Sequence, residues 1–299
     1  MVEVWFFYII SAVAIFGFNA IVDKIILTRH LNSFSYLVAG IPSKVVYLVA
    51  IMFFVPLDFT SPSFYLAFLA GFLGVLGYYA YAFAMKKEEA SRISALTSLY
   101  PLFVAIFAAI FLNEFFSAQS YVGIIFMILG ATMISYKRSK FHKIIPFVII
   151  FIAVIANFFW GVEQVISKIS LNSYGYWQFI AFYLMGIMFA TLLSLAVPNF
   201  RKSLMKEFKK LERNTIILLV FSPAIWFVGI ILFFYAATLG PITLVSTLSI
   251  TAPFAVLLFT IFLSVFWPKI LKEEIDRKTV ALKLLAVVLI FLGTYLITA

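Results

Sequence analysis

Long apolar segments alternate with short polar connectors along the whole chain. A helix needs about 20 apolar residues to span a hydrocarbon layer of about 30 Å. Ten segments reach that length, at 4–27, 34–56, 62–85, 91–112, 118–136, 144–168, 175–197, 214–239, 241–265 and 278–298. These runs are too long and too continuously apolar to be the alternating strands of a membrane barrel. The pattern therefore predicts ten transmembrane helices.

The chain also repeats itself. Three landmarks recur in the same order: Phe16-Gly17 before Lys24 matches Trp160-Gly161 before Lys168, Tyr100-Pro101 matches Ala252-Pro253, and Leu129-Gly130-Ala131 matches Leu292-Gly293-Thr294. Each copy holds five segments, and because five is odd the second copy enters the membrane from the opposite side. We therefore predict an all-α integral membrane protein of two inverted five-helix repeats, residues 1–143 with a basic linker and residues 144–299. Carriers of this layout bind their substrate near the midplane, where the repeats meet.

The amino-acid composition supports a membrane protein and argues against metal binding, cofactor binding and enzymatic catalysis. Hydrophobic residues make up 65% of the chain and charged residues 11%, against roughly 45–50% and 25% in soluble domains. The chain has no cysteine, and its two histidines fall in or beside connectors. We therefore expect no metal site and no cofactor. An intramembrane enzyme is disfavoured because the chain has no cysteine and its segments hold no histidine and no paired carboxylates.

The basic residues predict the orientation. Twenty of the 22 Lys and Arg residues fall in or beside the connectors that follow odd-numbered segments, and Lys168 alone lies on the opposite side. By the positive-inside rule those connectors are cytoplasmic and both termini are outside. The net charge of +10 then needs no nucleic-acid partner, and we expect a multi-pass protein of the plasma (inner) membrane. Residues 199–213 are either an amphipathic surface helix, with Leu204, Phe208 and Leu211 as its apolar side, or a solvated basic link.

Several motifs of the first copy point to a family. The run from Glu89 to Leu102, then Ile110-Phe111-Leu112-Asn113-Glu114, Gly123 and Leu129-Gly130-Ala131, resembles the EamA-type half of the drug/metabolite transporter superfamily. The resemblance extends over the chain but is weaker in the second copy, where Glu274 is the nearest counterpart of Glu114. It implies ten helices in two inverted repeats and transport of amino acids, other small metabolites or drugs, often outward.

Two charged residues stand out inside the segments. Lys44 lies about ten residues into the second segment, hence about 15 Å deep. A lysine at the midplane costs at least about 2.5–3.5 kcal/mol and usually faces a cavity or a partner. Glu163 shares one face of the sixth segment with Asn157, Trp160 and Gln164, because their spacings are three or four residues. Lys44 could anchor a carboxylate or phosphate. Glu163 could hold an ammonium group, take up a proton to couple transport, or pair with a lysine.

Further candidates have strong structural alternatives. Asn19 is the counterpart of Glu163 in the first copy, with Asp23 one turn further on. Tyr78, Tyr81 and Trp226 could wall a cavity and still offer a hydrogen bond, or simply pack.

Proline and glycine positions are interpreted in the same way. Pro101 and Pro253 lie inside segments and are predicted to bend their helices and act as hinges. We interpret Gly71, Gly74 and Gly77 as close helix packing and Glu114 as a structural carboxylate at the N-terminus of the fifth segment.

These features favour a secondary transporter, exporter or facilitator, of amino acids or related zwitterions. It would act as a monomer or homodimer in the lipid bilayer, with proton coupling left open. A carrier of organic cations or drugs is the alternative, with Glu163 and aromatic rings forming a cage. A sugar-phosphate or nucleotide-sugar exchanger would need several deep basic residues, and only Lys44 is deep. No Gly-rich Walker loop occurs, so ATP use is not expected.

Overall fold

The computed structural model describes residues 3–29, 31–87, 93, 96–135, 147–209, 211–256, 258–259 and 277–298. These residues are almost entirely helical. The helices are α1 (Val4–Arg29), α2 (Ser33–Ala39), α3 (Ile41–Phe54), α4 (Ser63–Lys87), α5 (Tyr100–Leu112), α6 (Ala118–Ser135), α7 (Phe147–Ser173), α8 (Tyr176–Leu193), α9 (Pro198–Phe208), α10 (Arg213–Leu239), α11 (Ile242–Ser249) and α12 (Arg277–Thr298). A short 3-10 turn, Ser194–Ala196, follows α8.

The helices confirm an all-helical membrane protein. Within the described residues, six stretches are long and apolar enough to cross a membrane: Val4–Leu27, Ser33–Phe54, Ser63–Ala84, Phe147–Ser173, Tyr176–Ala196 and Thr215–Leu239. Four shorter apolar helices are Tyr100–Leu112, Ala118–Met133, Ile242–Val256 and Leu284–Ile297. Each of these stretches overlaps one of the predicted segments. The motif residues 89–92, the boundary at residue 143, His30, His142 and Glu274 lie outside the described residues.

Three membrane segments are interrupted just before a proline. Gly40 separates α2 from α3, and Pro42 falls in the first turn of α3. Helix α5 begins at Tyr100, so Pro101 also falls in a first turn, and Pro253 follows the turn at residues 250–251. Proline suits this position because the first turn of a helix has no use for its missing N–H. Pro101 and Pro253 therefore start new helical pieces, whereas the sequence predicted bends inside continuous helices.

Glycines set the closest helix crossings. A Cβ at Gly71 of α4 would lie 2.0 Å from the Tyr183 carbonyl oxygen of α8, and one at Gly186 would lie 2.0 Å from that of Phe68. Only glycine permits such a backbone approach, so α4 and α8 pack with their backbones in direct contact. This confirms the packing interpretation of Gly71.

Matching crossings occur in the two halves of the chain. A Cβ at Gly17 of α1 would lie 2.5 Å from the Cβ of Ala255, two residues after Pro253. A Cβ at Gly161 of α7 would lie 2.5 Å from the Cβ of Phe103, two residues after Pro101. The segment after each proline break is therefore packed against the glycine landmark of the opposite half.

The junction between α10 and α11 is held from both sides. Lys168 Nζ donates to two carbonyl oxygens at the end of α10, at 2.5 and 3.1 Å. Glu114 accepts hydrogen bonds from the backbone N–H groups of Ile242 and Thr243, at 3.0 and 3.2 Å. A cation at a helix C-terminus and an anion at an N-terminus both match the helix dipole. Glu114 is thus a structural carboxylate, but it caps α11, whereas its position in the sequence predicted the N-terminus of the fifth segment.

Candidate functional site

A cavity of about 520 Å³ lies between α1, α2, α3, α4, α7, α8 and α10, with Tyr100 at the start of α5 also facing it. Six residues that the sequence singled out line this cavity. They are Lys44, Tyr78, Trp160, Glu163, Gln164 and Trp226. The two charged residues that the sequence could not place relative to one another thus face one space.

Glu163 is held in a defined orientation. Its side chain is buried, and the Tyr183 hydroxyl donates a hydrogen bond of 2.8 Å to its Oε1. A Cβ at Gly74 of α4 would come within 3.3 Å of the Glu163 Cδ. Glycine at position 74 therefore leaves room for the carboxyl group. A buried carboxylate needs hydrogen bonds or an opposite charge, and the cavity is where a ligand would supply the latter.

Trp160, about one turn before Glu163, and Gln164, the next residue after it, extend this polar lining. The Trp160 indole N–H donates to the Gly74 carbonyl oxygen at 3.3 Å. A Cβ at Gly77 would lie only 2.7 Å from the indole ring, so Gly77 makes space for it. Among the described residues, the buried Oε1 of Gln164 has no hydrogen-bond partner. That oxygen is an acceptor available to a ligand in the cavity.

Lys44 reaches the cavity from α3. It is 7% exposed, and its ammonium group lies 3.4 Å from the Gly40 carbonyl oxygen and 5.4 Å from the ring centroid of Trp226. Within the described chain, no carboxylate oxygen lies inside 4.0 Å of this nitrogen. A buried ammonium with one long hydrogen bond and a cation–π contact is left with donors for a ligand.

Asp23 lines the same cavity as Lys44, and its role was not predicted beyond its position one turn after Asn19. Its Oδ1 accepts from Tyr36 at 2.6 Å and from Ser222 at 2.5 Å, and its Oδ2 accepts from Asn19 at 2.9 Å. These donors come from α1, α2 and α10. Asp23 therefore ties three helices together at the cavity wall, and its own hydrogen-bonding capacity is largely used.

Tyr100 is another residue that the site analysis of the sequence missed. It lines the cavity, and its hydroxyl donates to the Ser246 carbonyl oxygen at 3.1 Å and hydrogen-bonds Ser249. Tyr100 thus links, by hydrogen bonds, the helix break before Pro101 to the end of α11, which precedes Pro253. Its place beside a repeated proline landmark was the available signal.

Three predicted residues do not line the cavity. The Asn157 side-chain nitrogen donates to the carbonyl oxygens of Ala153 and Leu96, at 2.8 and 3.0 Å, so both of its N–H groups are used by the backbone. The Asn19 amide donates a hydrogen bond to Asp23, which itself lines the cavity. The Tyr81 ring packs on Trp160, with ring centroids 5.8 Å apart. Helical spacing identified the face of these residues but not the neighbours that cover part of it. Direct contact of these three with substrate stays a prediction.

The charges that face the cavity are two carboxyl groups and one ammonium group, Asp23, Glu163 and Lys44. In the described part of the chain, the lining also includes seven aromatic side chains, together with Gln164 and several apolar residues. Among described residues, no group of three or more His, Cys, Asp or Glu side chains could hold a metal ion. The formal charge of the lining is thus negative by one, which favours a cationic or zwitterionic ligand over an anion.

Comparison with known proteins agrees with the motifs. Residues 3–136 match the EamA-like transporter family, so the resemblance is confirmed over that range. A protein of known crystal structure superimposes with a TM-score of 0.72, over 98% of this chain and 95% of the other, at 16% sequence identity. At that identity the likeness concerns the fold. No curated protein matches the sequence.

Proposed function

Because residues 3–136 match the EamA-like transporter family, whose members carry small molecules across membranes, we propose that this protein is a secondary carrier of amino acids or related zwitterions. The substrate would bind in the cavity between Lys44 and Glu163. Transport would use alternating access, without ATP. The single observation that carries this proposal is that a buried ammonium group and a buried carboxyl group line one cavity without pairing.

The cavity fits such a ligand in size and charge. Pockets for small molecules usually measure about 300–1,000 Å³, and this one measures about 520 Å³. Lys44 would hold the substrate carboxylate, and Glu163, oriented by Tyr183, would hold the ammonium group. A charge buried in the membrane costs less when a ligand neutralises it. The two charges would thus be compensated together only by a molecule that carries both signs.

The proposed architecture is ten transmembrane helices in two inverted repeats. The matched crossings of Gly17 with Ala255 and of Gly161 with Phe103, each two residues after a proline break, support it. In such carriers one repeat rocks against the other around a fixed site. We propose the plasma membrane as its location, with both termini outside and a monomer or homodimer as the unit. Glu163 is the candidate proton acceptor for coupling.

An organic-cation or drug carrier is the second candidate function. The formal charge of the cavity lining and its seven aromatic rings favour it, because aromatic faces attract cations within about 6 Å. In this role Lys44 would pair with Asp23 and leave Glu163 as the cation site. A sugar-phosphate exchanger fits poorly, because the lining offers one ammonium group against two carboxyl groups.

A thermal-stability screen in detergent separates these functions. The ligands are the proteinogenic amino acids, small carboxylates, sugar phosphates and tetraethylammonium, tested on wild type, Lys44→Ala and Glu163→Gln. A ligand that binds the folded state stabilises it by about 2.7 kcal/mol at a hundredfold excess over Kd. We expect amino acids to stabilise wild type and neither variant. Stabilisation by tetraethylammonium alone, retained in Lys44→Ala, would replace the zwitterion carrier by the cation carrier.

A further inference from the structure

Helix α9 (Pro198–Phe208) occupies the connector between two membrane-length helices. It follows α8 after a short 3-10 turn, and α10 begins at Arg213. Its place at the ends of two membrane-length helices puts it at the boundary between membrane and water. Side chains three and four residues apart share one helix face, so the helix has an inner and an outer side.

The inner side is attached to the start of α2. The Phe200 ring stacks on Phe34, with centroids 4.5 Å apart and planes 24° apart. The Asn32 side-chain amide donates to Ser203 Oγ at 2.8 Å and to Glu207 Oε1 at 2.6 Å, and its backbone N–H donates to Glu207 Oε2 at 3.1 Å. Glu207 is the single acidic residue of α9, so the contact with Asn32 turns the negative charge of the helix inward.

The outer side is basic and partly apolar. Lys202, Met205, Lys206 and Lys209 surround a shallow depression of about 410 Å³. The lysines are exposed, and Met205 is 59% exposed. Phe208, at the edge of this side, is 40% exposed. The sequence had placed the apolar side of this helix on Leu204, Phe208 and Leu211, whereas Phe200 makes the main inner contact.

We propose that the outer face of α9, formed by Lys202, Met205 and Lys206 together with the C-cap residue Lys209, binds the headgroups of anionic phospholipids in the leaflet beside it. Three lysines without an acidic neighbour on their side complement phosphate charge, and the exposed Arg201 next to Lys202 brings the basic residues to four. Clusters of about four or more Lys and Arg residues near membrane spans bind anionic lipids. Met205 and Phe208 add apolar surface at the depth where interfacial helices insert it. A lipid headgroup is favoured over a free phosphate because it would engage the charged and the apolar groups together.

This binding would also act on the cavity wall. The Asn32 that holds Glu207 is the N-cap of α2, and its side chain accepts hydrogen bonds from the backbone N–H groups of Phe34 and Ser35, both at 3.0 Å. One turn on, α2 places Tyr36 in the cavity. A lipid that fixes α9 at the membrane surface would thereby steady the start of α2.

The test is thermal unfolding of the full chain in neutral detergent. Dioleoyl phosphatidylglycerol is titrated against phosphatidylcholine with the same acyl chains and against inorganic phosphate. The variant is Lys202→Gln, Lys206→Gln and Lys209→Gln combined. The matched control carries Lys137→Gln, Lys140→Gln and Lys143→Gln, which remove the same charge from another connector. Lipid that binds the folded protein raises the unfolding temperature.

We expect phosphatidylglycerol to stabilise wild type and the control, and the α9 variant to need roughly 100-fold more lipid for the same rise. An α9 variant that responds like wild type would overturn the proposal. So would a control that loses the response equally, or inorganic phosphate that stabilises as well as the lipid. Unfolding in phosphatidylcholine shows whether the triple variant is folded; if it is not, Lys206→Gln alone must show a reduced response. The readout requires no transport, so its outcome is independent of the carrier function.

Discussion

Tyr183 of α8 donates a hydrogen bond of 2.8 Å to Glu163 of α7 at the cavity wall. The two residues are 20 positions apart on helices that the sequence treats as separate. The Tyr183 ring also packs on Phe234, with centroids 5.0 Å apart. One side chain therefore both fills the helix interface and orients the carboxyl group that the proposed substrate would meet.

Tyr183→Phe is expected to weaken substrate binding while keeping the fold. The ring contacts remain, but Glu163 loses a hydrogen bond, and hydrogen bonds to charged groups contribute about 1.5–3 kcal/mol. Affinity for the stabilising amino acid should fall by roughly 10-fold or more, as measured by calorimetric titration. Tyr79→Phe is the control, because its hydroxyl bonds Ser194 and not the cavity residues. An equal loss in both variants would count against a role of Tyr183 at the site.

Gly71→Ala is expected to destabilise the protein strongly. Its methyl group would meet the Tyr183 carbonyl oxygen at 2.0 Å, so α4 and α8 would have to separate. Overpacking of this kind costs about 1–3 kcal/mol or more, and the measurement is the unfolding temperature in detergent. In Gly175→Ala the new methyl group meets only the flexible end of Gln178 at 2.7 Å, at a backbone φ of −61° that alanine adopts. Equal stability of the two variants would refute the close crossing.

Glu114→Gln tests the clamp, that is, the hydrogen bonds by which Glu114 holds the start of α11. Glu114 accepts hydrogen bonds from the Ile242 and Thr243 N–H groups and from the Thr243 hydroxyl. Loss of the negative charge at this helix N-terminus should cost about 1 kcal/mol, seen as a lower unfolding temperature. Glu212→Gln at the N-cap of α10 provides the comparison, since that side chain makes no capping hydrogen bond. A larger effect at position 212 than at 114 would contradict the clamp.

Pro101→Ala and Pro253→Ala are expected to slow transport more than they weaken binding. Restoring the missing N–H lets the helix continue across the break, and this would stiffen a joint that rocking needs. Stability should change by no more than about 1 kcal/mol. Exchange rates in proteoliposomes and Kd values by calorimetry measure the two effects separately. Pro198→Ala, at the first turn of α9, should leave both unchanged, and an unchanged rate in the first two variants would remove their hinge role.

The helical segments could be predicted because membrane-length apolar runs leave little alternative. The cavity-facing positions of Lys44 and Glu163 could be predicted because a charged residue inside a membrane segment is costly and usually faces a cavity or a partner. The helix breaks at Gly40, before Pro101 and before Pro253 were harder to predict from the sequence. Proline in a sequence shows that a hydrogen bond is missing, but neighbouring helices decide whether the chain bends or restarts.

The setting of Asp23 could not be predicted for a related reason. Its donors Asn19, Tyr36 and Ser222 lie on three helices, and only tertiary packing brings them together. Likewise, Asn157 shares the helical face of Glu163, yet its amide is used by the Leu96 and Ala153 carbonyl oxygens. Spacing along one helix assigns a face but does not say which part of that face a neighbour covers.

The central claim is that Lys44 and Glu163 hold opposite ends of one substrate. Its most direct test is calorimetric titration of an amino acid beside its decarboxylated amine and its deaminated acid; for L-leucine these are isoamylamine and isocaproate. Wild type should bind the amino acid at least about 10-fold more tightly than either analogue, since each loses a charge-assisted hydrogen bond. Lys44→Ala should erase the preference over the amine, and Glu163→Gln the preference over the acid. Equal binding of amine and amino acid by wild type, unchanged in Lys44→Ala, would contradict the account.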